Sequence, residues 1–553
     1  MTGKEAESII QSLPFAKIEI PFSLDANGTL TGSVGILHKS MSSAIVFKVI
    51  IHPFYPCKIL GHEPIQFVNL SLIEYPHIMS DGSLCFHTSY LNDEKERLYS
   101  DLIQLLEWIE KYYIKGIKDK NYEHLVTVPS VINGCYYALH FTQTDIVPIK
   151  GECGFAFISF IKDGIHKGKR VRNMLLNFFG DDKKKPLKSC MWSTHYKNLT
   201  HIAGPYCILD TPPAIYGKFA PSEYTQLNGF LSQKQLNFIH LYEKSQYRKL
   251  KGQYVPLLIG YKIPDGSIHW QAPMLKVGDF PICGIAERKD GKKTGIWNTQ
   301  FTDGKIDWAM TYDSSYEKFF GRGVYEDSFT NKSILILGVG AIGSMISKTL
   351  VKCGCRNLSL CDYDVKKPEN VCRSEYDFSN GICDKSYELA NILSCSSPHV
   401  KANPLTEQIE YLLKTIVHNE LNVPEVKQTL NEFDLIFDCS TDDDTMRLLE
   451  KLQLRCDIVN ISITNHASEL ICGFSPNIST FVQNAFSSIV ENGLSDLYAP
   501  SGCWSPTFKA SYNDIALMVQ YALKHIHRML IGIEEKHNFI LRDSENGLKI
   551  NRY

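Results

Sequence analysis

Ser333-Ile-Leu-Ile-Leu-Gly-Val-Gly-Ala-Ile-Gly343 is a short apolar run that closes on Gly338-x-Gly340-x-x-Gly343 and continues into a helix-like segment, Ser344 to Lys352. That order predicts a strand, a tight turn and a helix whose first amides can hold a phosphate. Leu358-Ser-Leu-Cys-Asp362-Tyr-Asp364 follows as a second strand ending in two acids. Asn370 and Arg373 come soon after it, and Lys385 lies near the next helix start. A third strand, Phe433 to Thr441, ends at Asp442-Asp443-Asp444. In a doubly wound sheet the carboxyl ends of neighbouring strands share one crevice. Asp362, Asp364 and Asp442 can therefore converge on one nucleotide, with Arg373 and Lys385 opposite. A dinucleotide site needs a single acid here, for a ribose. Two acids, an amide and a guanidinium suit ATP and Mg²⁺. Taken alone, the glycines leave a plain strand-to-helix turn or an NAD site open. The triple Asp alone reads as a solvated helix start, where acids are favoured anyway.

Taken together, these residues resemble the ThiF-type adenylating fold shared by ubiquitin-activating enzymes and bacterial sulfur-carrier relatives. The family motif is Asp-x-Asp, Asn-x-x-Arg, a Lys, and an Asp after the next strand. Asp362/Asp364, Asn370-Val-Cys-Arg373, Lys385 and Asp442 stand here in that order. The usual Gln after the Arg is Ser374, and the loop before the last Asp is one residue longer, so Asp443 is an alternative to Asp442. The resemblance implies that Gly338, Gly340 and Gly343 cradle ATP beside Asp364 and that Asp362 holds the ribose. It gives Asn370, Arg373 and Lys385 to the triphosphate and Asp442 to Mg²⁺. In related enzymes an Arg upstream of the first strand reaches across a dimer to the partner's ATP. Arg322, within Gly321-Arg322-Gly323, is the candidate.

The N-terminal third predicts a short helix from Lys4 to Leu13 and strands at Lys17–Phe22, Leu30–Leu37 and Ala44–Ile51. Turns fall at Asn27-Gly28 and Lys39 to Ser42. A His52-Pro-Phe-Tyr-Pro56 corner follows, then Tyr75-Pro-His77-Ile-Met-Ser-Asp-Gly82-Ser-Leu-Cys85, and an amphipathic helix over Leu102–Tyr113. This arrangement resembles a ubiquitin-conjugating enzyme, with Cys85 as the thioester-forming cysteine. The family's Asn, which steadies the loop or the oxyanion, falls at His77; a His also donates a hydrogen bond and can take a proton. His87 could lower the thiol pKa if it lies close. A second thiol, Cys503, sits in Gly502-Cys-Trp-Ser-Pro-Thr-Phe508, just before a helix over Asn513–Ile531. It looks like the acyl-accepting cysteine of ubiquitin-activating enzymes, and a helix N-terminus favours a thiolate there.

At 553 residues the chain has room for about three or four domains. A net charge of −2 calls for neither nucleic acid nor an anionic membrane. No run approaches the roughly 18 apolar residues of a membrane span, and no signal peptide is read at the start, so a cytoplasmic protein is expected. None of the 17 cysteines forms a C-x-x-C pair, so the zinc-ribbon pattern is absent. Cys353, Cys361, Cys395, Cys439, Cys456 and Cys472 read as core. The middle alternates strand-like runs (Gly154–Phe160, Tyr254–Lys262) with loops and a helix near Ser232–Glu243. Its basic clusters, His166 to Arg172 and Lys183 to Lys185, read as solvated faces, with docking of an acidic partner as the alternative.

The expected architecture is multidomain α+β and α/β. A ubiquitin-conjugating-like α+β domain occupies 1–125, an α/β linker domain 126–326, and a ThiF-type Rossmann-like adenylation domain 327–553. This order resembles the conjugating–activating fusion proteins encoded with cGAS-like nucleotidyltransferases in bacterial anti-phage CBASS systems. The resemblance implies a homodimer that activates the C-terminus of a partner protein, a cGAS-like nucleotidyltransferase. The acyl group would be carried on Cys503 and then Cys85 to a target lysine, priming cyclic-nucleotide signalling. The alternative is an adenylyltransferase for a sulfur-carrier or ubiquitin-like protein, with the N-terminal domain as a binding module.

Overall fold

A computed structural model describes residues 1–59, 63–72, 75–79, 81–85, 91–117, 127–199, 201–213, 221–263, 266–405, 423–491 and 510–553. The chain divides into two compact units, Met1–Asp313 and Ser314–Tyr553.

The first unit opens with the helix Gly3–Gln11, started by a capping box in which Thr2 and Glu5 exchange hydrogen bonds. A four-stranded antiparallel meander follows, through Ala16–Leu24, Leu30–Ile36, Ile45–Ile51 and Ile65–Val68. Asp25 sets its first turn by accepting from the amides of Asn27 and Thr29, with Gly28 at φ +80°. Alternate residues of Ile45–Ile51 are buried, so Phe47 and Val49 meet Leu98, Leu102 and Leu105 of the helix Glu94–Trp108. Each such side chain contributes about 1.5–3 kcal/mol on burial. That helix starts eight residues before the Leu102 read from the sequence, because Asp93 caps the amides of Lys95 and Glu96 ahead of the apolar stripe. It runs on into a π-helical turn, Ile109–Ile114.

The rest of this unit is built on a nine-stranded mixed sheet and two two-stranded sheets, with apolar clusters distinct from that of the meander. Its long strand, Lys169–Gly180, lies between Cys135–Phe141, which is parallel, and Cys153–Phe160, which is antiparallel. The helix Gln233–Leu250, capped by Ser232, packs on the sheet. Tyr254–Lys262, read as one strand, is two: Tyr254–Pro256 and Leu258–Lys262 pair with different partners. The basic clusters are largely exposed, as solvated faces should be.

The second unit carries an eight-stranded sheet. Its order is Lys401–Pro404, Asn357–Cys361, Ser333–Leu337, Leu435–Asp438, Asp457–Thr464, Glu469–Phe474, Phe539–Arg542 and Lys549–Arg552. The first five strands are parallel and the remainder antiparallel. Ser333–Leu337 is flanked by Asn357–Cys361 on one side and Leu435–Asp438 on the other, so the chain reverses its direction of travel across the sheet there. Open α/β sheets bind ligands at such a point. Ile334 and Ile336 face one core and Leu335 and Leu337 another, as a strand covered on both faces requires. Among the described residues no helix is long and apolar enough to cross a membrane.

Candidate active site

The glycine turn leaves Ser333–Leu337 and enters the helix Ala341–Lys352. Gly338 has φ +76°, and a Cβ there would lie 2.6 Å from Ser440 Cα. At Gly343 a Cβ would lie 2.0 Å from the Gly338 carbonyl oxygen, so the helix packs directly on the turn. Gly340 differs: a Cβ there would meet nothing within 4 Å. It is the N-cap of a helix that has no side-chain cap, which leaves first-turn amides for an anion.

Asp362 binds this turn from the neighbouring strand. One of its carboxylate oxygens accepts from the amide of Val339 at 2.8 Å and the other from the amide of Asp364 at 2.9 Å. Burial raises its pKa above the usual Asp value, against the charge of Lys385 and these two amides. Each oxygen keeps a further lone pair for a ligand hydroxyl. Asp364 accepts from Lys385 Nζ at 2.6 Å. Burial works to raise the Asp364 pKa, but the Lys385 hydrogen bond and charge outweigh it, and the net shift is downward. A phosphate entering here would compete with Asp364 for the Lys385 ammonium.

Asn370 accepts from the amide of Lys367 and so caps the short helix Pro368–Val371. Arg373 follows, half exposed, on the same connection. Ser374, standing where the related motif has Gln, is buried and donates to the carbonyl of Asn370. Asp442 is the N-cap of the helix Asp443–Lys451, accepting from the amide of Asp444 and the hydroxyl of Thr445. Its sequence reading as a helix start is therefore correct locally. Among the described residues no three His, Cys, Asp or Glu side chains form a metal-binding group. Mg²⁺ that arrives with a nucleotide needs only one or two carboxylates besides the phosphates, and Asp442 with Asp443 fits that donor set. Arg322 is exposed in the turn after the helix Tyr316–Phe320.

Three groups escaped the sequence reading. Tyr376 donates to the carbonyls of Val339, at 2.6 Å, and Lys385, at 3.3 Å, tying the glycine turn to the start of the helix Lys385–Ser396. Burial, then the Asp362 charge, pushes its pKa up. Asp438 is fully buried at the end of its strand, held by Ser440 and Asn460, and burial raises its pKa. The third is Lys366, which is buried against Glu388.

Cys85 lies in the other unit and is partly exposed. Its amide donates to the His77 carbonyl at 2.8 Å, and Met79 and Gly82 close the turn between them. Trp108 holds the same loop by donating to the Pro76 carbonyl at 3.1 Å. His77 has φ +64°. Asn and His are among the few residues that take this left-handed conformation readily, which accounts for His at a position where the related motif has Asn. His87 and Cys503 lie outside the described residues. Of the cysteines read as core, Cys361, Cys439 and Cys472 are buried and Cys353 and Cys456 partly so, whereas Cys395 is exposed on the last turn of its helix.

Residues 312–482, which carry this crevice, match the ThiF family. The chain is similar to the ATP-dependent ubiquitin transferase-like protein Cap2 of Enterobacter hormaechei subsp. hoffmannii, with 24% identity over 408 residues. That alignment spans 69% of this chain and 64% of the relative, a little under two thirds of its length. It is also similar to molybdopterin-synthase adenylyltransferase of Haemophilus influenzae, at 21% identity over 191 residues, 32% of this chain and 73% of that protein. Among solved structures, E. coli MccB with ATP covers 41% of this chain and 64% of its own, at 13% identity and a TM-score of 0.30.

Proposed function

We propose that this chain is an ATP-dependent protein-conjugating enzyme that activates the C-terminal carboxylate of a partner protein. One observation carries the adenylation half. A switch point in the sheet gathers an uncapped helix start, Asp362, Asp364 and Lys385 around an open approach at Gly340. An NAD oxidoreductase would need neither a second thiol nor a conjugating-like domain.

ATP is the substrate of the first step. The Gly338–Gly343 turn and the helix amides hold its phosphates, and Asp362 accepts from the ribose. Asp442, with Asp443 as the alternative, would hold Mg²⁺, whose charge offsets that of the phosphates. A carboxylate oxygen of the partner attacks the α-phosphorus, the bond to pyrophosphate breaks, and an acyl-adenylate forms. Arg373, Lys385 and Asn370 stabilise the charge that builds on the departing phosphates. The Cys503 thiolate then attacks the acyl carbon and AMP leaves. Cys85 takes the acyl group by thiol exchange. A target lysine amine attacks the Cys85 thioester, an isopeptide bond forms, and the thiolate of Cys85 is released. The partner in this reading is a cGAS-like nucleotidyltransferase, as in the CBASS fusions the sequence resembles, and similarity to Cap2 supports it.

Pyrophosphate exchange into ATP tests the reading. It should require both the enzyme and a protein with a free C-terminus. Similarity to molybdopterin-synthase adenylyltransferase favours one other reading, an adenylyltransferase without conjugation. Exchange without any reductant-sensitive thioester would select it. The homodimer, with Arg322 reaching the partner subunit's nucleotide, is tested by mixing Cys85→Ser and Cys503→Ser chains. Restored conjugation shows transfer between subunits, and a fully active monomer excludes the dimer.

A further inference from the structure

Lys366 follows the two acids of the nucleotide site and precedes another lysine, a context that reads as solvated. Its side chain is instead 1% exposed, as is that of Glu388. Lys366 Nζ donates to Glu388 Oε1 at 2.6 Å and to the carbonyl oxygen of Asp377 at 2.8 Å. A buried ion pair is weak as a source of stability, because desolvation opposes the attraction and an apolar pair of like volume is often as stable or more so. Its better-attested use is to fix one arrangement among several.

The arrangement in question is the connection that carries the phosphate-binding residues. Lys366 N donates to the Cys383 carbonyl at 2.7 Å and Lys385 N to the Asp364 carbonyl at 3.1 Å, around a bridge between Val365 and Asp384. These bonds close residues 366–383 into a loop that carries Asn370 and Arg373. Backbone–backbone bonds join the two limbs of this loop only at its base, and the Glu375 amide and Tyr376 hydroxyl add bonds to Ser344, Val339 and the Lys385 carbonyl. The Lys366 ammonium reaches inside it, to Asp377 on the returning limb and to Glu388 one turn along the helix that begins with Lys385. One amine thus ties the loop bearing Arg373 to the helix bearing Lys385. The second pair, Lys385 with Asp364, is 10% and 41% exposed and can open to a ligand. The Lys366–Glu388 pair cannot without leaving a buried charge unpaired.

We propose that Lys366 and Glu388 are positioning residues for the nucleotide site, holding the 366–383 loop against the helix Lys385–Ser396 so that Arg373 and Lys385 meet the same phosphates. This rests on the adenylation reading above. The test uses the full chain with Lys366→Met, Glu388→Gln and the double variant Lys366→Met/Glu388→Leu. Thermal midpoints, the Kd for ATP with Mg²⁺ by calorimetry, and KM and kcat for ATP in partner-dependent exchange are measured. Both single variants should melt lower. The double variant should regain the wild-type midpoint, since no unpaired charge is left. All three should bind ATP about tenfold more weakly, with KM rising in step, because small misplacements of charged groups cost that much. Loss of folded protein alone would lower kcat and leave Kd unchanged. Wild-type Kd in the double variant would overturn the inference, and Glu388→Gln decides in the same way should the double variant not fold. Absence of ATP binding by the wild type would overturn the adenylation reading itself.

Discussion

In the nucleotide crevice, Asp362 is mostly buried with each carboxylate oxygen on a backbone amide, and Tyr376 bridges two carbonyls beside it. Cys85, in the loop beside the N-terminal sheet, is partly exposed and follows a residue with left-handed backbone only eight positions before it. The contrast matches what each reaction needs. Phosphoryl chemistry gains from charges fixed before the substrate arrives. In the proposed reaction, a thiol that takes an acyl group from Cys503 and passes it to a target amine would have to stay open to both. In that reading, fixed charges in the first region and access in the second would serve successive steps.

The largest effects should separate the regions by product. Cys85→Ser should lower target conjugation about a thousandfold or more, since the nucleophile acts as part of a unit. A reductant-sensitive thioester with the partner should then build up on Cys503, visible on non-reducing gels. Cys503→Ser should abolish both thioesters. Full conjugation by Cys85→Ser would reduce the N-terminal domain to a binding module and erase the comparison.

Next come the crevice charges. Arg373→Ala and Lys385→Ala should each lower partner-dependent exchange about 10²–10³-fold, the range for removing one pre-placed electrostatic partner. Asp442 needs two variants because it also caps a helix. Asp442→Asn keeps the cap and removes the charge, so it should lose exchange with little change in stability. Asp442→Ala should lose exchange and about 0.5–2 kcal/mol of stability. Wild-type exchange in Asp442→Asn would move the metal role to Asp443.

Much of this crevice was readable because its signals are local. A strand, glycines at fixed offsets and acids at the next strand end each sit within a few residues, and the sheet rule brings them together. Tyr376, Asp438 and Lys366 were not readable, since their roles come from contacts that no period or spacing encodes. Lys366 is the sharpest case: its neighbours Asp364 and Lys367 suggest solvent, and only Glu388, on a helix beyond the loop, explains its burial. Cys395 failed in reverse. Apolar neighbours suggested core, but it falls on the outer side of its helix's last turn. The helix Glu94–Trp108 was begun too late because its first turn is polar and announced by a cap. Near Cys85, the left-handed backbone at His77 was not readable, because no local pattern in the sequence marks it.

Two glycines sharpen the rigid side of the comparison with smaller effects. Gly343→Ala places a Cβ 2.0 Å from the Gly338 carbonyl, so helix and turn must separate. A loss of about 1–3 kcal/mol in denaturant unfolding is expected, as for overpacking. Gly340→Ala meets nothing within 4 Å, so no steric clash opposes it. The added methyl would occupy the open approach to the helix amides and weaken ATP binding measured by calorimetry. Equal ATP affinity in Gly340→Ala and the wild type would place the phosphates elsewhere.

The smallest expected effect is a pH dependence of stability from the two acids of the crevice, and it distinguishes them by sign. Burial works to raise the Asp364 pKa, but the Lys385 hydrogen bond and charge, then the Val365 amide and Lys367, hold it below its ordinary value in the folded chain. Between that folded value and the unfolded one, near 3.8, the unfolded chain binds more protons, so stability rises with pH through the window. The contribution of Asp364 is therefore present above about pH 4 and is lost as pH falls through the folded value. Asp362 is raised by burial and has the opposite sign: its contribution is greatest below its unfolded value and is lost as pH rises through the folded one. Urea unfolding of the wild type and Asp364→Asn across about pH 2.5–7 isolates the Asp364 contribution. The stability difference should be constant above about pH 5 and shrink towards acid. Because Asp364 is partly exposed, salt should reduce that difference. A difference that grows towards acid would mean that Lys385 does not hold Asp364 in its charged form, and that the ammonium is already free for phosphate before ATP arrives.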